Sequence, residues 1–139
     1  MTSLENKRVL VTGAGRGLGA TIAHGFARQG ATVIVADIDG ALAAGTAQAI
    51  RDAGGLAADA VLDVTDADAV RAFAAHCAAR HGNLDILINN AGISARAPFD
   101  DPQTPAIWDR VMQVNLQGTF NVCLLYTSDA ADDLLSVDL

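Results

Sequence analysis

The sequence predicts an α/β protein built as a doubly wound parallel sheet, on three observations. Short apolar runs alternate with helical segments of about a dozen residues along most of the chain. The connections between them are only a few residues long. The polar and glycine punctuation follows the ends of the apolar runs, at residues 13–19, Asp37, Asp63 and residues 89–92. Parallel strands need crossover helices, and crossovers are right-handed, so a β-α-β-α-β-α-β-α chain folds most simply with helices on both faces of one sheet. The expected strand order is 3-2-1-4, with a crevice where the order reverses between strands 1 and 4.

Residues 7–12 read as a buried strand running into a glycine-crowded turn. In the helix that follows, to Arg28, Leu18, Ile22 and Phe26 recur at i, i+4 and i+8 beside Ala23 and Ala27, and Gly30 stops it. Residues 32–37 are β-branched and continuously apolar, as a strand covered on both faces should be, and end in Asp37. A helix over residues 41–53 closes at Gly54 and Gly55. A third strand spans residues 57–62, with Asp63 after it. Thr65 or Asp66 can cap the next helix, whose stripe of Val70, Phe73 and Cys77 extends to about His81. Gly82 and Asn83 turn the chain into strand 84–88, which meets Asn89, Asn90, Ala91 and Gly92. A loop rich in Pro, Asp and Ser leads to a helix over about 104–122.

The 139 residues, 51% hydrophobic, suit one domain with a real core. No run approaches the ~18 apolar residues of a membrane span. Residues 1–8 lack the apolar core of a signal peptide, so a cytoplasmic protein is expected, without a membrane partner. Cys77 and Cys123 have neither disulfide nor metal spacing and read as inert thiols; His24, His76 and His81 are scattered, so no metal is expected. A net charge of −7 argues against nucleic acid. More than half of it comes from Asp129, Asp132, Asp133 and Asp138, near the C-terminus.

A strand, a glycine turn and a helix start in succession bring a diphosphate against backbone N–H groups. Glycines suit the turn because a Cβ would hold the ligand off. Asp37 follows Gly13 by 24 residues, near the ~20 expected of a carboxylate that grips an adenosine ribose. Such a carboxylate accepts from the ribose hydroxyls of NAD and repels the 2′-phosphate of NADP. Two like charges 4 Å apart cost ~4 kcal/mol at an effective dielectric of about 20. Arg16 pulls the other way, toward the phosphate. Asp37 is the more constrained by its place at a strand end, so NAD is expected and NADP is the weaker choice.

Gly15, Gly17 and Ala20 fit the general dinucleotide fingerprint, whereas Gly13, Gly17 and Gly19 fit another. Thr12 with Gly13, Gly17 and Gly19, followed at the end of strand 4 by Asn89, Asn90, Ala91 and Gly92, resembles the short-chain dehydrogenase/reductase family over residues 5–122. The resemblance implies a Rossmann-type NAD(P)-binding domain, here its N-terminal portion (residues 1–122), cut off after strand 4 and its helix. It implies that Gly13, Gly17 and Gly19 shape the diphosphate turn, with Arg16 and Leu18 in it, and that Asp37 holds the ribose. Asp63 would reach the adenine amino group, Val64 the adenine ring, and Asn90, Ala91 and Gly92 would line the cofactor by their backbone. Asn115 resembles the family's helix asparagine, whose backbone positions a water in the proton relay. The implied reaction is hydride transfer between nicotinamide C4 and a secondary alcohol or carbonyl. A tyrosine serves as acid/base, aided by a lysine four residues on, and a serine polarises the substrate oxygen. A homo-oligomer is implied, assembled through the helix starting near Thr104 and the next one.

Those three catalytic residues find no match. Lys7 is the only lysine, Tyr126 is followed four places later by Ala130, and Ser128 follows no fifth strand. Residues from about Cys123 resemble the translated read-through of a sequencing adapter, so residues 123–139 are expected to be a non-native acidic tail. The chain is then a fragment with an open apolar edge at strand 4, expected to aggregate and to have no dehydrogenase activity. Two other readings remain open here. One is a non-catalytic dinucleotide-binding module. The other is a methyltransferase, against which residues 89–92 count.

Overall fold

The structure, a computed structural model, describes residues 3–134, with side chains described to Tyr126. Four parallel strands, β1 (Arg8–Thr12), β2 (Thr32–Asp37), β3 (Leu56–Val61) and β4 (Ile86–Ile88), lie in the order β3-β2-β1-β4. The expected topology is therefore present, and β4 is an edge. β1 pairs with β2 from Arg8↔Thr32 to Thr12↔Ala36, and with β4 from Val9↔Ile86 to Val11↔Ile88. The crossovers are α1 (Gly17–Arg28), α2 (Gly40–Asp52) and α3 (Ala67–His81).

Alternation along the strands divides the core in two. Val9, Val11, Val33 and Val35 point to one face and pack with Ala23 of α1 and Ala43, Ala47 and Ile50 of α2. Leu10, Ile34 and Ala36 point to the other, against Val70 and Cys77 of α3 and Val122. Successive strand residues face opposite sides, so a continuous apolar run serves both layers. Each fully buried Val or Ile contributes about 1.5–3 kcal/mol. Burial pushes the Cys77 thiol above its ordinary pKa, as expected of an inert thiol.

The sequence-based boundaries coincide with the observed ones at about half of the ends and differ by one or two residues at most of the others. One departure matters more. The helix expected over 104–122 is α4 (Thr104–Met112), a π-helical stretch (Gln113–Gly118) and α5 (Thr119–Leu134) in unbroken succession. Leu125 and Tyr126 pack against the second core cluster. Among the described residues no helix is long and apolar enough to cross a membrane.

Candidate functional site

The C-terminal ends of β1, β2 and β4 converge on a cleft of about 400 Å³. One wall is the turn into α1, where Gly13, Arg16, Gly17, Leu18 and Gly19 line the space. Arg16 precedes the helix in extended conformation and offers no side-chain cap, so the first turn of α1 meets the cleft with its backbone N–H groups. The turn is packed to its limit at Gly19, where a Cβ would lie 2.3 Å from the Gly13 carbonyl oxygen. At Gly17, with φ +58°, a Cβ would meet nothing within 4 Å. Together these form a shallow cradle of donors with room above it, which fits a diphosphate.

The second wall follows β2. Asp37 Oδ2 accepts the Gly15 N–H at 2.9 Å and Oδ1 the Asp39 N–H at 3.0 Å, which fixes the carboxylate at the rim. Asp63 and Val64 come from the loop after β3. The Thr65 hydroxyl, at 2.7 Å, and the Thr65 N–H, at 2.9 Å, both donate to Asp63 Oδ1. These bonds, with Arg110 nearby, hold the Asp63 carboxyl below its usual pKa against a desolvation cost. Val64 is set from behind: Asn121 donates to its carbonyl at 2.9 Å, and Gly118 packs so closely that a Cβ would lie 2.5 Å from Val64 Cγ2.

The third wall is the end of β4. The buried Thr12 hydroxyl accepts the N–H groups of Asn90 and Ala91 at 3.1 and 3.0 Å. The Asn90 side chain returns two bonds, to the carbonyls of Thr12 and Gly13 at 3.1 and 3.0 Å. Strands 1 and 4 are thus stitched together where the strand order reverses. Gly92 lines the cleft, and Asn115 pins the next residue, since its amide accepts from the Ile93 N–H at 2.8 Å and donates to the Ile93 carbonyl at 2.9 Å.

All eleven residues expected to meet a cofactor therefore line one cleft. Asn115 does not line it and meets it from behind, bonded to Ile93 and packed beside Gly92. Of the two places expected of Leu18 it takes the cleft: it is 69% exposed there and does not join Ile22 and Phe26 on the core face. Gly19 takes the packed side of the first turn of α1, which leaves Leu18 on the side that faces the cleft. Sequence reasoning missed Arg110 and Val114, which a distant helical segment brings to the cleft, and Thr46, buried on α2 with its hydroxyl 3.0 Å from the Gly15 carbonyl. Thr46 did leave a signal, a hydroxyl on a face otherwise formed by Ala43, Ala47 and Ile50. Tyr126 packs on the far core face beside Cys77 and does not line the cleft.

The family profile described as short chain dehydrogenase matches residues 7–131. A Mycobacterium tuberculosis protein named "Probable oxidoreductase EphD" is 51% identical over 116 residues, which cover 83% of this chain and 19% of that protein. A gluconate 5-dehydrogenase of Burkholderia cenocepacia, solved with NADP and tartrate, superposes with a TM-score of 0.84 at 43% identity, covering 91% of this chain and 49% of that one. A 7α-hydroxysteroid dehydrogenase solved with NADH and 7-oxo glycochenodeoxycholic acid superposes at 0.82 with 35% identity, covering 89% and 48%. The chain spans about half the length of these two solved relatives.

Proposed function

The chain belongs to the short-chain dehydrogenase family, and from that premise we propose that its cleft binds NAD(H) for an oxidoreductase acting on a secondary alcohol or carbonyl of a small molecule. The observation that carries the reading is the convergence of an uncapped helix N-terminus, a fixed strand-end carboxylate and a second carboxylate on one cleft. The N–H groups of residues 17–19 would take the diphosphate, with Gly13 letting β4 approach. Asp37 would accept from the ribose hydroxyls and disfavour a 2′-phosphate. Asp63 would accept from the adenine amino group, with Val64 against the ring, and Asn90, Ala91 and Gly92 would line the nicotinamide half. Bound there, the nicotinamide would supply or accept the hydride. Arg16 favours NADP, and relatives of this fold occur with either dinucleotide. Asn115 would act by holding Ile93 and the loop after β4 against the cofactor, beside the relay role that the family implies for its backbone.

Among the described residues, those that line the cleft bind and orient, and no tyrosine or lysine is among them. Lys7 is remote in sequence, and Tyr126 packs into the core and does not line the cleft. We therefore expect the 139-residue chain to bind NADH without turning over substrate, the behaviour of a dinucleotide-binding module. Fluorescence titration of the purified chain with NADH and NADPH tests the cofactor. Tighter NADH binding is expected, and tenfold tighter NADPH binding would refute the role given to Asp37. Measurable hydride transfer by the same protein would refute the rest.

Residues 123–139 we read as a non-native tail. Sequencing the source DNA across the Val122 codon decides this, because an uninterrupted genomic frame encoding the same tail would sink the idea. Homo-oligomerisation and a cytoplasmic location remain part of the same proposal, on the family's pattern.

A further inference from the structure

The Gly15 peptide is held at both ends. Its N–H donates to Asp37 Oδ2 at 2.9 Å, and its carbonyl accepts from the Thr46 hydroxyl at 3.0 Å. Thr46 is 8% exposed and lies on the buried face of α2. A helical threonine often returns its hydroxyl to the carbonyl one turn earlier. This one reaches across to a residue 31 positions away. The space is closed, for a Cβ on Gly15 would lie 2.9 Å from Asp37 Oδ2 and 2.7 Å from Leu42 Cβ. The other Asp37 oxygen takes the Asp39 N–H at 3.0 Å. Each oxygen is thus oriented by one backbone donor and keeps acceptor capacity for a hydroxyl, since an ionised carboxylate offers about four lone-pair sites.

We propose that Thr46 is a positioning residue for cofactor choice. Through the Gly15 peptide it holds the Asp37 carboxylate where a ribose 2′-hydroxyl is accepted and a 2′-phosphate is repelled. The proposal rests on the NAD reading above. Removing the hydroxyl leaves a buried carbonyl unpaired, which favours rotation of the Gly15 peptide toward another donor. Asp37 then loses a fixed N–H and swings from its place. NADH loses hydrogen bonds while NADPH loses a repulsion, so the two affinities converge. A merely structural Thr46 would weaken both alike.

Thr46→Val keeps the shape without the hydroxyl, and Thr46→Ser keeps the hydroxyl. The test titrates both variants and the parent chain with NADH and NADPH, and follows hydrogen exchange of the Gly15 amide by NMR without nucleotide. The Val variant should bind NADH about tenfold more weakly, the loss of about one net hydrogen bond, with NADPH changed less than about twofold. Its Gly15 amide should exchange faster, and the Ser variant should restore both readouts. Equal weakening of the two nucleotides, or unchanged Gly15 exchange, would overturn the proposal. If the parent chain prefers NADPH, the NAD reading fails, and unchanged Gly15 exchange in Thr46→Val would separately overturn the Thr46–Gly15–Asp37 linkage.

Discussion

Helices α1, α2 and α3 all rise from strand ends at the same edge of the sheet, yet they begin differently. Asp39 caps α2, its Oδ1 accepting the N–H groups of Ala41 and Leu42 at 3.0 and 3.1 Å. Asp66 caps α3, accepting those of Asp68 and Ala69, both at 3.0 Å. α1 starts behind Arg16 with no side-chain cap and no acidic residue in its first turn. Every helix N-terminus carries about half a positive charge and unpaired donors, so each has the same need for an anion. At these three crossover helices the chain supplies a carboxylate to two ends and leaves the third to face the cleft. An aspartate at position 16 would satisfy the helix and repel a diphosphate. The bare end is the one where a ligand can do the capping.

The largest effect expected of breaking this arrangement is at Gly19. A Cβ there would lie 2.3 Å from the Gly13 oxygen and 2.4 Å from Asn90 Nδ2, so the turn would have to open or the stitch to β4 break. Gly19→Ala should cost about 3 kcal/mol or more by urea unfolding, and should weaken NADH binding by over about 100-fold. Gly17→Ala serves as the control. A Cβ there meets nothing within 4 Å, so only its φ of +58° opposes the change, at a cost of about 1 kcal/mol. Equal effects at the two positions would mean that conformation, and not close approach, governs the turn.

Next in size is an exchange of caps. Arg16 already has the extended backbone of an N-cap residue. Arg16→Asp should stabilise the chain by about 1 kcal/mol while weakening NADH binding about 30-fold or more, because the carboxylate takes the donors and opposes the diphosphate. The reciprocal change, Asp66→Ala, should cost about 1 kcal/mol and leave nucleotide affinity within about threefold. Stability and binding should thus move in opposite directions at α1 alone. Parallel losses at position 16 would remove the ligand-capping account.

Much of this was legible in the sequence because it is local. Strand ends, the turn and the caps are each set by a few adjacent residues, so Asp37, Asp63 and residues 89–92 could be placed on one edge without knowing any contact. What sequence order could not convey came from elements that meet only in the fold. Arg110 and Val114 reach the cleft from a segment that crosses it from the far side of the chain order. The π-helical stretch at residues 113–118 has no periodic signature of its own, yet it sets Asn115 against Ile93 and Gly118 against Val64. Helical periodicity put Leu18 on the core face because it cannot tell that Gly19 takes the packed side of the first turn, which leaves Leu18 to the cleft.

The smallest expected effect sharpens the comparison at the remaining carboxylate, Asp63, which caps nothing. The Thr65 hydroxyl, then the Thr65 N–H, lower its pKa below the ordinary 3.8, with a smaller contribution from Arg110. A carboxyl lowered in the folded state adds stability that is complete above its unfolded pKa and is lost as pH falls through the folded one. The Asp63 contribution should therefore be constant at neutral pH and disappear only below about pH 4. Thr65→Val removes the largest cause and keeps the N–H bond. A carboxyl-carbon NMR titration should then find the Asp63 midpoint higher than in the parent but still below the ordinary value. The stability lost in the variant should be greatest at neutral pH and shrink in acid, as Asp63 becomes protonated in both proteins. An unchanged midpoint would assign the lowering to the Thr65 N–H or to Arg110 instead, and the same titration of Arg110→Gln would tell the two apart. If Arg110 carries it, the Asp63 end of the cleft is governed by a helix distant in sequence, whose reach to the cleft sequence order did not convey, and not by the local loop.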